Sequence, residues 1–465
     1  MIKKFIEKVE KVFSRRRPRE PLDNAKKFVK SQHNINRADI SEAALKTCEG
    51  LQRAGFKAFV VGGAVRDLLL QRHPKDFDIA TDATPEEVRV VFRRSRIIGR
   101  RFRLVHVMFG QETIEVSTFR SAHDAKDSED NANTDEHGRL LRDNVYGTQA
   151  EDAIRRDFTM NALFYDPETE EVWDYTGGVG DVAKKRVVMI GEAEARYRED
   201  PVRMLRAARL AGKLGFVIDD ETKAPIGQLK SLLSNVPEAR LFDEILKLMK
   251  SGHALDCFAQ LQALGLDTLL LPSLDKLLAD PASSPFVRLA LERTDARIRD
   301  DRGVSESFLF AALFWFPMQA RCRELEAGGE RALTALHQAM DDVLDSQRSV
   351  LAIPRRYDGN IKELWLAQPR FLFQSKAKAY RLLTHPRFRA CYDFFALRAE
   401  AGDADHDIAG WWEKFQFADE TTREAMLLPD DAAKKKRRRR KKSANGSAGA
   451  GVNASSGDVS NDNFA

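Results

Sequence analysis

Hydrophobic and polar positions change period several times along this chain, and each change predicts an element. Residues 2–13 set Ile2, Phe5, Ile6, Val9, Val12 and Phe13 at helical spacing opposite lysines, then run into Arg15, Arg16, Arg17 and Pro18. That is a short basic amphipathic helix, either packed on the body or laid against an anionic membrane surface. A second helical pattern at 40–54 leads into 57–61, a strand-like run closed by Gly62 and Gly63. Strands at 59–61, 76–79, 104–109 and 113–119 then mix with short helices at 64–71 and 85–92, which predicts an α+β head. The stretch 123–139, rich in Asp, Asn and Ser, reads as a mobile loop. From about 192 strand signals vanish and helical periodicity continues to about 428, as in Val202, Leu205, Leu210 and Leu214, then Leu241, Ile245, Leu246 and Met249. No repeat suggests a solenoid. The end of the chain, a charge run followed by Ser, Gly, Ala and Asn, cannot bury enough apolar surface to offset its ordering entropy and is expected to be disordered.

Composition narrows the class. Apolar residues make up 43% of 465, enough for a sizeable core and too long a chain for one domain. No run of eighteen apolar residues predicts a spanning helix, and the first twenty residues lack a secretory core, so the expected location is the cytoplasm. Cys48, Cys257, Cys322 and Cys391 lack metal-ligand or redox spacing and read as reduced thiols. His73, His106 and His123 have no second ligand at suitable spacing and read as structural or solvated. The net charge of +5 is unevenly spread. The first twenty residues and the nine consecutive basic residues Lys434, Lys435, Lys436, Arg437, Arg438, Arg439, Arg440, Lys441 and Lys442 carry the excess, leaving the body mildly acidic. The tail has no aromatic residue for stacking, so it would bind a polyanion such as RNA by counterion release.

The chemistry concentrates in VVGGAVRDLLL at 60–70 and KDFDIAT at 75–81. A strand ending in Gly62 and Gly63 and feeding a helix offers bare N–H groups to an anion, although such a pair alone is also an ordinary tight turn. In an extended segment Asp76 and Asp78 project to one side with Phe77 turned into the core. Two carboxylates so close repel unless cations lie between them, and a hard ion such as magnesium, bound by carboxylates and substrate phosphates, fits. Glu115, on TIEVSTFR at 113–120, would supply a third carboxylate if the register agrees; otherwise it is an ordinary exposed strand residue. Arg66 is a further candidate for holding phosphates.

These residues resemble the class II nucleotidyltransferase superfamily, shared by bacterial poly(A) polymerases and CCA-adding enzymes. The resemblance continues through RRDFTMNAL at 155–163, WDYTGGVGD at 173–181, REDPVRMLRAARLAGKLGF at 198–216 and VPEARLFDEILKLM at 236–249. RRFRLVHVMFG at 100–110, FLFAALFW at 308–315, MDDVLDSQRSVLAIPRR at 340–356 and LLTHPRFRACYDFFALRAE at 382–400 look specifically like the bacterial poly(A) polymerase branch, and the likeness covers roughly 31–428. The fold it implies is a nucleotidyltransferase head built on a small mixed, polymerase-beta-like sheet, followed by an all-α neck, body and C-terminal region. The divisions expected are an N-terminal extension at 1–30, a catalytic head at 31–190, a neck at 191–275, an RNA-binding helical region at 276–430 and a basic tail at 431–465.

By the same resemblance Asp76 and Asp78 bind the catalytic metals, Asp157 belongs to the active site, and Arg155 and Arg156 lie near the nucleotide. Asp157 would orient the ribose or Arg66 rather than take a proton. Glu199, Asp200 and Arg203 would read the base. A carboxylate accepts from an exocyclic amino group while Arg donates to the neighbouring ring nitrogen, an edge that adenine and cytosine share. An acidic pair in a helix's first turn, complementing its dipole and forming an i,i+3 salt bridge, is the plainer account of those residues. The implied reaction is AMP transfer from ATP to RNA 3′ ends with magnesium or manganese as cofactor, RNA rather than DNA as partner, and RNA-decay machinery as a further partner. The competing expectations are a CCA-adding tRNA nucleotidyltransferase and an inactive RNA-binding adaptor on the same fold.

Overall fold

The computed structural model of the protein describes residues 25–99, 103–121, 145–267, 272–348 and 353–428. The amphipathic segment 2–13, the loop expected at 123–139 and the basic run 434–442 lie outside the described residues. The chain divides into two compact units. One takes the described residues up to Asp280 with Leu291–Val304 and Leu344–Ile353; the other takes Pro281–Ala290, Ser305–Val343 and the described residues from Pro354.

The first unit holds an eight-stranded mixed sheet. Its strands are β1 (Lys26–Phe28), β2 (Ala58–Val61), β3 (Asp78–Thr81), β4 (Ser95–Ile98), β5 (Leu104–Phe109), β6 (Glu112–Thr118), β7 (Leu163–Asp166) and β8 (Glu171–Asp174), in the order β1-β8-β7-β2-β3-β6-β5-β4. Only β3 and β6 pair in parallel. The expected mixed sheet is present and carries four strands, β1, β4, β7 and β8, that the pattern did not mark. Strand β7 is buried at all four positions and β8 at three, so neither shows the alternation that reveals a strand locally. One expectation is corrected: strand structure begins at Asp78, not at 76, because the ladder with β2 ends at Val61↔Asp78 where Gly62 turns the chain away. The strand signal also does not stop at 192, since β9 (Arg186–Val187) pairs in parallel with β10 (Val217–Ile218).

The two faces of the sheet are covered differently. Ile79, Val105, Val107, Ile114 and Val116 point to one face and are at most 1% exposed. That face packs under α1 (Glu42–Arg53) and, after α2 (Gly63–Leu69), under α3 (Pro85–Val91). Both helices begin where polar side chains satisfy free backbone donors: Ser41 accepts from the Ala44 N–H, and Thr84 forms a reciprocal capping box with Glu87 around Pro85. On the other face Phe59, Phe119, Phe164 and Trp173 form an aromatic cluster, with Phe59 5.2 Å from Trp173 and 6.1 Å from Phe164 between ring centroids.

Helix α4 (Gln149–Ile154) lies between β6 and β7, and after β8 come α5 (Gly178–Ala183), α6 (Ala193–Glu199) and α7 (Val202–Leu214), then α8 (Glu238–Met249) and α9 (Ala254–Ala263). In the second unit, helices Glu306–Leu313, Asp358–Ala367, Phe388–Glu400 and His406–Phe417 enclose a core around Trp365, Phe371, Phe394 and Trp412, all fully buried. The indole N–H groups there are satisfied, Trp365 by the Ala311 carbonyl at 3.0 Å and Trp412 by that of Phe371 at 2.8 Å. Among the described residues no helix is long and apolar enough to cross a membrane.

Candidate active site

Register assembles the site. Asp78 lies directly opposite Glu115 across the parallel pair, Glu115 opposite His106, and His106 opposite Arg96. On the other side Asp78 faces Val61, Val61 faces Phe164, Phe164 faces Trp173 and Trp173 faces Lys27. Residues directly paired across strands share a face, so one row crosses all eight strands on the face of the aromatic cluster. Its β1-side half is apolar apart from Lys27, whose ammonium sits 3.8 Å over the Trp173 ring. The other half, Asp78, Glu115, His106 and Arg96, is charged or titratable. His106 Nε2 lies 3.7 Å from Glu115 Oε2.

Asp76 and Asp78 are exposed while Phe77 between them is buried, the alternation expected of an extended run. Asp78 keeps an exposed edge, but the protein packed around its carboxyl strips enough water to push it up to about 6, and the charges of Glu115 and Asp76 add to this while Arg156 opposes. Among the described residues no three acidic, His or Cys side chains close into a finished metal cage. The like charges push apart, and the set is oxygen-only, open to solvent at Asp76 and Asp78, and suited to a hard divalent cation.

The Gly62–Gly63 turn adjoins these carboxylates. Gly62 has φ +72°, a conformation glycine adopts without strain, and its N–H donates to the Leu163 carbonyl at 3.0 Å. Helix α2 has only seven residues, so its dipole adds little, and two guanidiniums supply the positive charge instead. A Cβ on Gly62 would meet Arg156 Nη1 at 3.4 Å, and one on Gly63 would meet Arg66 Nη2 at 3.4 Å. Arg66 is buried; it donates to Asp67 Oδ1 at 2.8 Å and to Asn161 Oδ1 at 2.7 Å. Asn161 in turn donates to Asp157 Oδ1 at 3.4 Å. Asp157 therefore reaches Arg66 through Asn161, which the sequence reading did not single out.

Arg155 and Arg156 are both held by Asp152, a buried carboxylate also missing from the sequence reading, at 2.8 Å each. The two arginines hold that carboxyl below its usual range against the cost of burial. Arg156 also stacks 5.2 Å over Phe164, Val61's neighbour in the row, which sets its guanidinium beside Asp78. Spacing could have found Asp152: three and four residues before the arginine pair, it shares a helical face with both.

Further helices clasp this segment. Arg206 on α7 pairs with Asp157 at 2.8 Å, and Arg196 on α6 donates to the Arg155 and Arg156 carbonyls at 2.7 Å each. The candidate base readers separate into two pairs. Arg203 donates to Glu199 Oε2 at 2.8 Å, and Asp200 is held by Arg240 of α8 at 2.9 Å. The bridge between Glu199 and Arg203 spans four residues, not the three of the plainer account, and Glu199 closes α6 rather than opening α7. The WDYTGGVGD run has a structural role: Asp174 accepts backbone N–H bonds from Thr176, Gly177, Gly178 and Val179, all within 3.0 Å.

Comparison with known proteins follows this geometry closely. Residues 58–188 match the family described as "Poly A polymerase head domain", 215–278 "Probable RNA and SrmB- binding site of polymerase A", and 328–444 "Polymerase A arginine-rich C-terminus". Poly(A) polymerase I of Escherichia coli is 45% identical over 405 residues, 86% of this chain and 87% of that one. This chain belongs to the poly(A) polymerase family. Poly(A) polymerase I of Haemophilus influenzae is 42% identical over 85% of this chain and 89% of its own length. The CCA-adding enzyme of Lactobacillus johnsonii is 36% identical over 46% of this chain and 51% of its own. Among solved structures, the Bacillus stearothermophilus CCA-adding enzyme in complex with CTP has a TM-score of 0.51 at 24% identity, covering 87% of this chain and 98% of that one. The Thermotoga maritima CCA-adding enzyme complexed with tRNA also scores 0.51, at 16% identity over 88% and 87%. The poly(A) polymerase family therefore has, in this chain, the architecture of the CCA-adding enzymes.

Proposed function

We propose that this chain is a template-independent polynucleotide adenylyltransferase acting at RNA 3′ ends. The register Asp78↔Glu115, with Asp76 two residues earlier, carries the chemistry. The choice of polyadenylation over CCA addition rests on relatives matched along most of the chain, where the CCA-adding enzyme from L. johnsonii matches less than half of it.

In the reaction the RNA 3′ oxygen bonds to the α-phosphorus of ATP, the bond to the β-phosphate oxygen breaks, pyrophosphate leaves and the hydroxyl proton passes to solvent. Asp76, Asp78 and Glu115 would hold divalent cations. Magnesium and manganese both suit the oxygen ligands, and the chemistry supplied by a bound cation is neutralisation of phosphate charge and activation of the hydroxyl. The Gly62 N–H is given to the Leu163 carbonyl, so the phosphates would be held by the Gly63 N–H with Arg66 and Arg156, and Arg155 contributes to the positive potential. Asp157 keeps Arg66 in place through Asn161. Arg203, released from Glu199, reads adenine together with Glu199 or Asp200. Positioning and charge carry most of such a transfer.

The tail 434–442 adds RNA affinity through phosphate contacts. The reaction would take place in the cytoplasm and mark RNAs for decay machinery, while residues 2–13 could bring the enzyme to an anionic membrane. The test is the purified full chain with an unstructured RNA and each nucleotide separately, in magnesium and then in manganese. Long extension with ATP alone supports this reading. Stopping after CCA on a truncated tRNA would make the chain a CCA-adding enzyme, and activity in an Asp78→Ala variant would overturn the site.

A further inference from the structure

The charged half of the row does not end at the carboxylates. Beyond Glu115 it continues through His106 to Arg96 on β4, the edge strand. Arg96 is exposed, and its side chain makes no hydrogen bond or ion pair among the described residues. Two residues beyond His106 on β5, and on the same face, lies Met108, 44% exposed; two residues before Arg96, just ahead of β4, lies exposed Arg94. Their backbones are joined by the bond from Met108 N to Arg94 O at 2.9 Å. The packed face of β4 and β5 lies under α3, and among the described residues Arg94, Arg96 and Met108 are exposed and His106 half-buried, a strip of two guanidiniums, an imidazole and a thioether.

In-line displacement decides what such a strip would meet. The attacking oxygen and the leaving oxygen lie on opposite sides of the phosphorus. With the phosphates at Gly62 and Gly63, on the β2 side of Asp78, the 3′ hydroxyl comes from the β6-β5-β4 side. A strand approaching from that side would pass Glu115, His106 and Arg96. Basic groups take the phosphates of single-stranded RNA, and its bases pack on nonpolar surface, most strongly where that surface is aromatic.

We propose that the open face of β4 and β5 is the track of the RNA primer, with Arg96 and Arg94 contacting its last phosphodiesters, His106 between them and Glu115, and Met108 supporting a base. This rests on the assignment of Asp76, Asp78 and Glu115 above. Arg96 stands two strands from Glu115, so its replacement leaves the carboxylates untouched.

The experiment measures binding of a labelled unstructured oligoadenylate to full-length parent, Arg96→Gln and Arg94→Gln over a range of salt, with affinity for a non-hydrolysable ATP analogue read in parallel. Each variant should weaken RNA binding on the order of tenfold and make the log–log salt slope shallower by about 0.7, leaving analogue affinity in place. Unchanged RNA affinity and slope in both variants would overturn the track. So would a loss of analogue affinity equal to the loss for RNA, which would put these arginines on the triphosphate. Asp78→Ala separates the two levels. An active Asp78→Ala overturns the carboxylate assignment and the track with it, whereas an inactive one beside unaffected arginine variants overturns the track alone.

Discussion

Replacing Asp152 by alanine removes one carboxylate and strands two cations. Asp152 is 1% exposed, and its oxygens take Arg155 at 2.8 Å and Arg156 at 2.8 Å, with the Arg120 N–H at 3.3 Å. Removing one member of a buried ion pair costs ~3–5 kcal/mol, because the remaining charge stays partly desolvated. Both guanidiniums keep some water, at 26% and 19% side-chain exposure, so the lower end, about 3 kcal/mol, applies. At ~2–4 °C per kcal/mol for a unit of this size, the midpoint should fall by roughly 6–12 °C. Because the folded carboxyl titrates below its usual range, its contribution is complete above the unfolded value near ~4 and is lost as pH falls through the folded one. The gap between parent and variant should therefore be widest at neutral pH and close in acid. Arg156, freed from its anchor, should no longer stay beside Asp78, so the KM for ATP should rise as well. Thermal melts by circular dichroism from neutral to acid pH, with initial rates alongside, measure both effects, and Asp152→Asn should fall between. A variant that melts with the parent at neutral pH would refute the anchoring role.

Three further outcomes follow from other parts of the chain. Gly178→Ala places a Cβ 2.1 Å from the Thr159 carbonyl oxygen, and should cost about 3 kcal/mol or more in urea unfolding; a neutral result would mean that the two turns separate freely. Asp295 caps α9 by accepting from the Ala254 N–H at 2.8 Å, and burial pushes its carboxyl up to about 6. Its protonated form favours the fold, so stability is lost as pH rises from ~4 to about 6, by up to about 3 kcal/mol. Asp295→Asn should gain on the parent across that window, and a constant difference would count against this account. Deleting 434–465 should lower RNA affinity and flatten its salt dependence, with the rate at saturating RNA nearly unchanged; an unaltered slope would remove the tail from RNA binding.

Local pattern and spacing were enough to determine several features of this protein. Asp76 and Asp78 are exposed on either side of buried Phe77, as a period of two predicts, although the strand proper begins only at Asp78. The strand closed by Gly62 and Gly63, the helices that follow, and the helical character beyond the head are likewise written in short-range periodicity. Tertiary structure decided the rest, because the deciding partners are far apart in the chain. Glu115 belongs to the site only through the parallel register of β3 and β6, which a one-residue slip would reverse. Strands β1, β4, β7 and β8 are three or four residues long, with no pattern of their own beyond length and burial. Asn161 matters because it spans Arg66 and Asp157, Asp152 because it is buried beneath two arginines, and Arg240 because it holds Asp200 from forty residues away. His106 and Arg96, unremarkable in the sequence, acquire meaning from one cross-strand row that no local window contains.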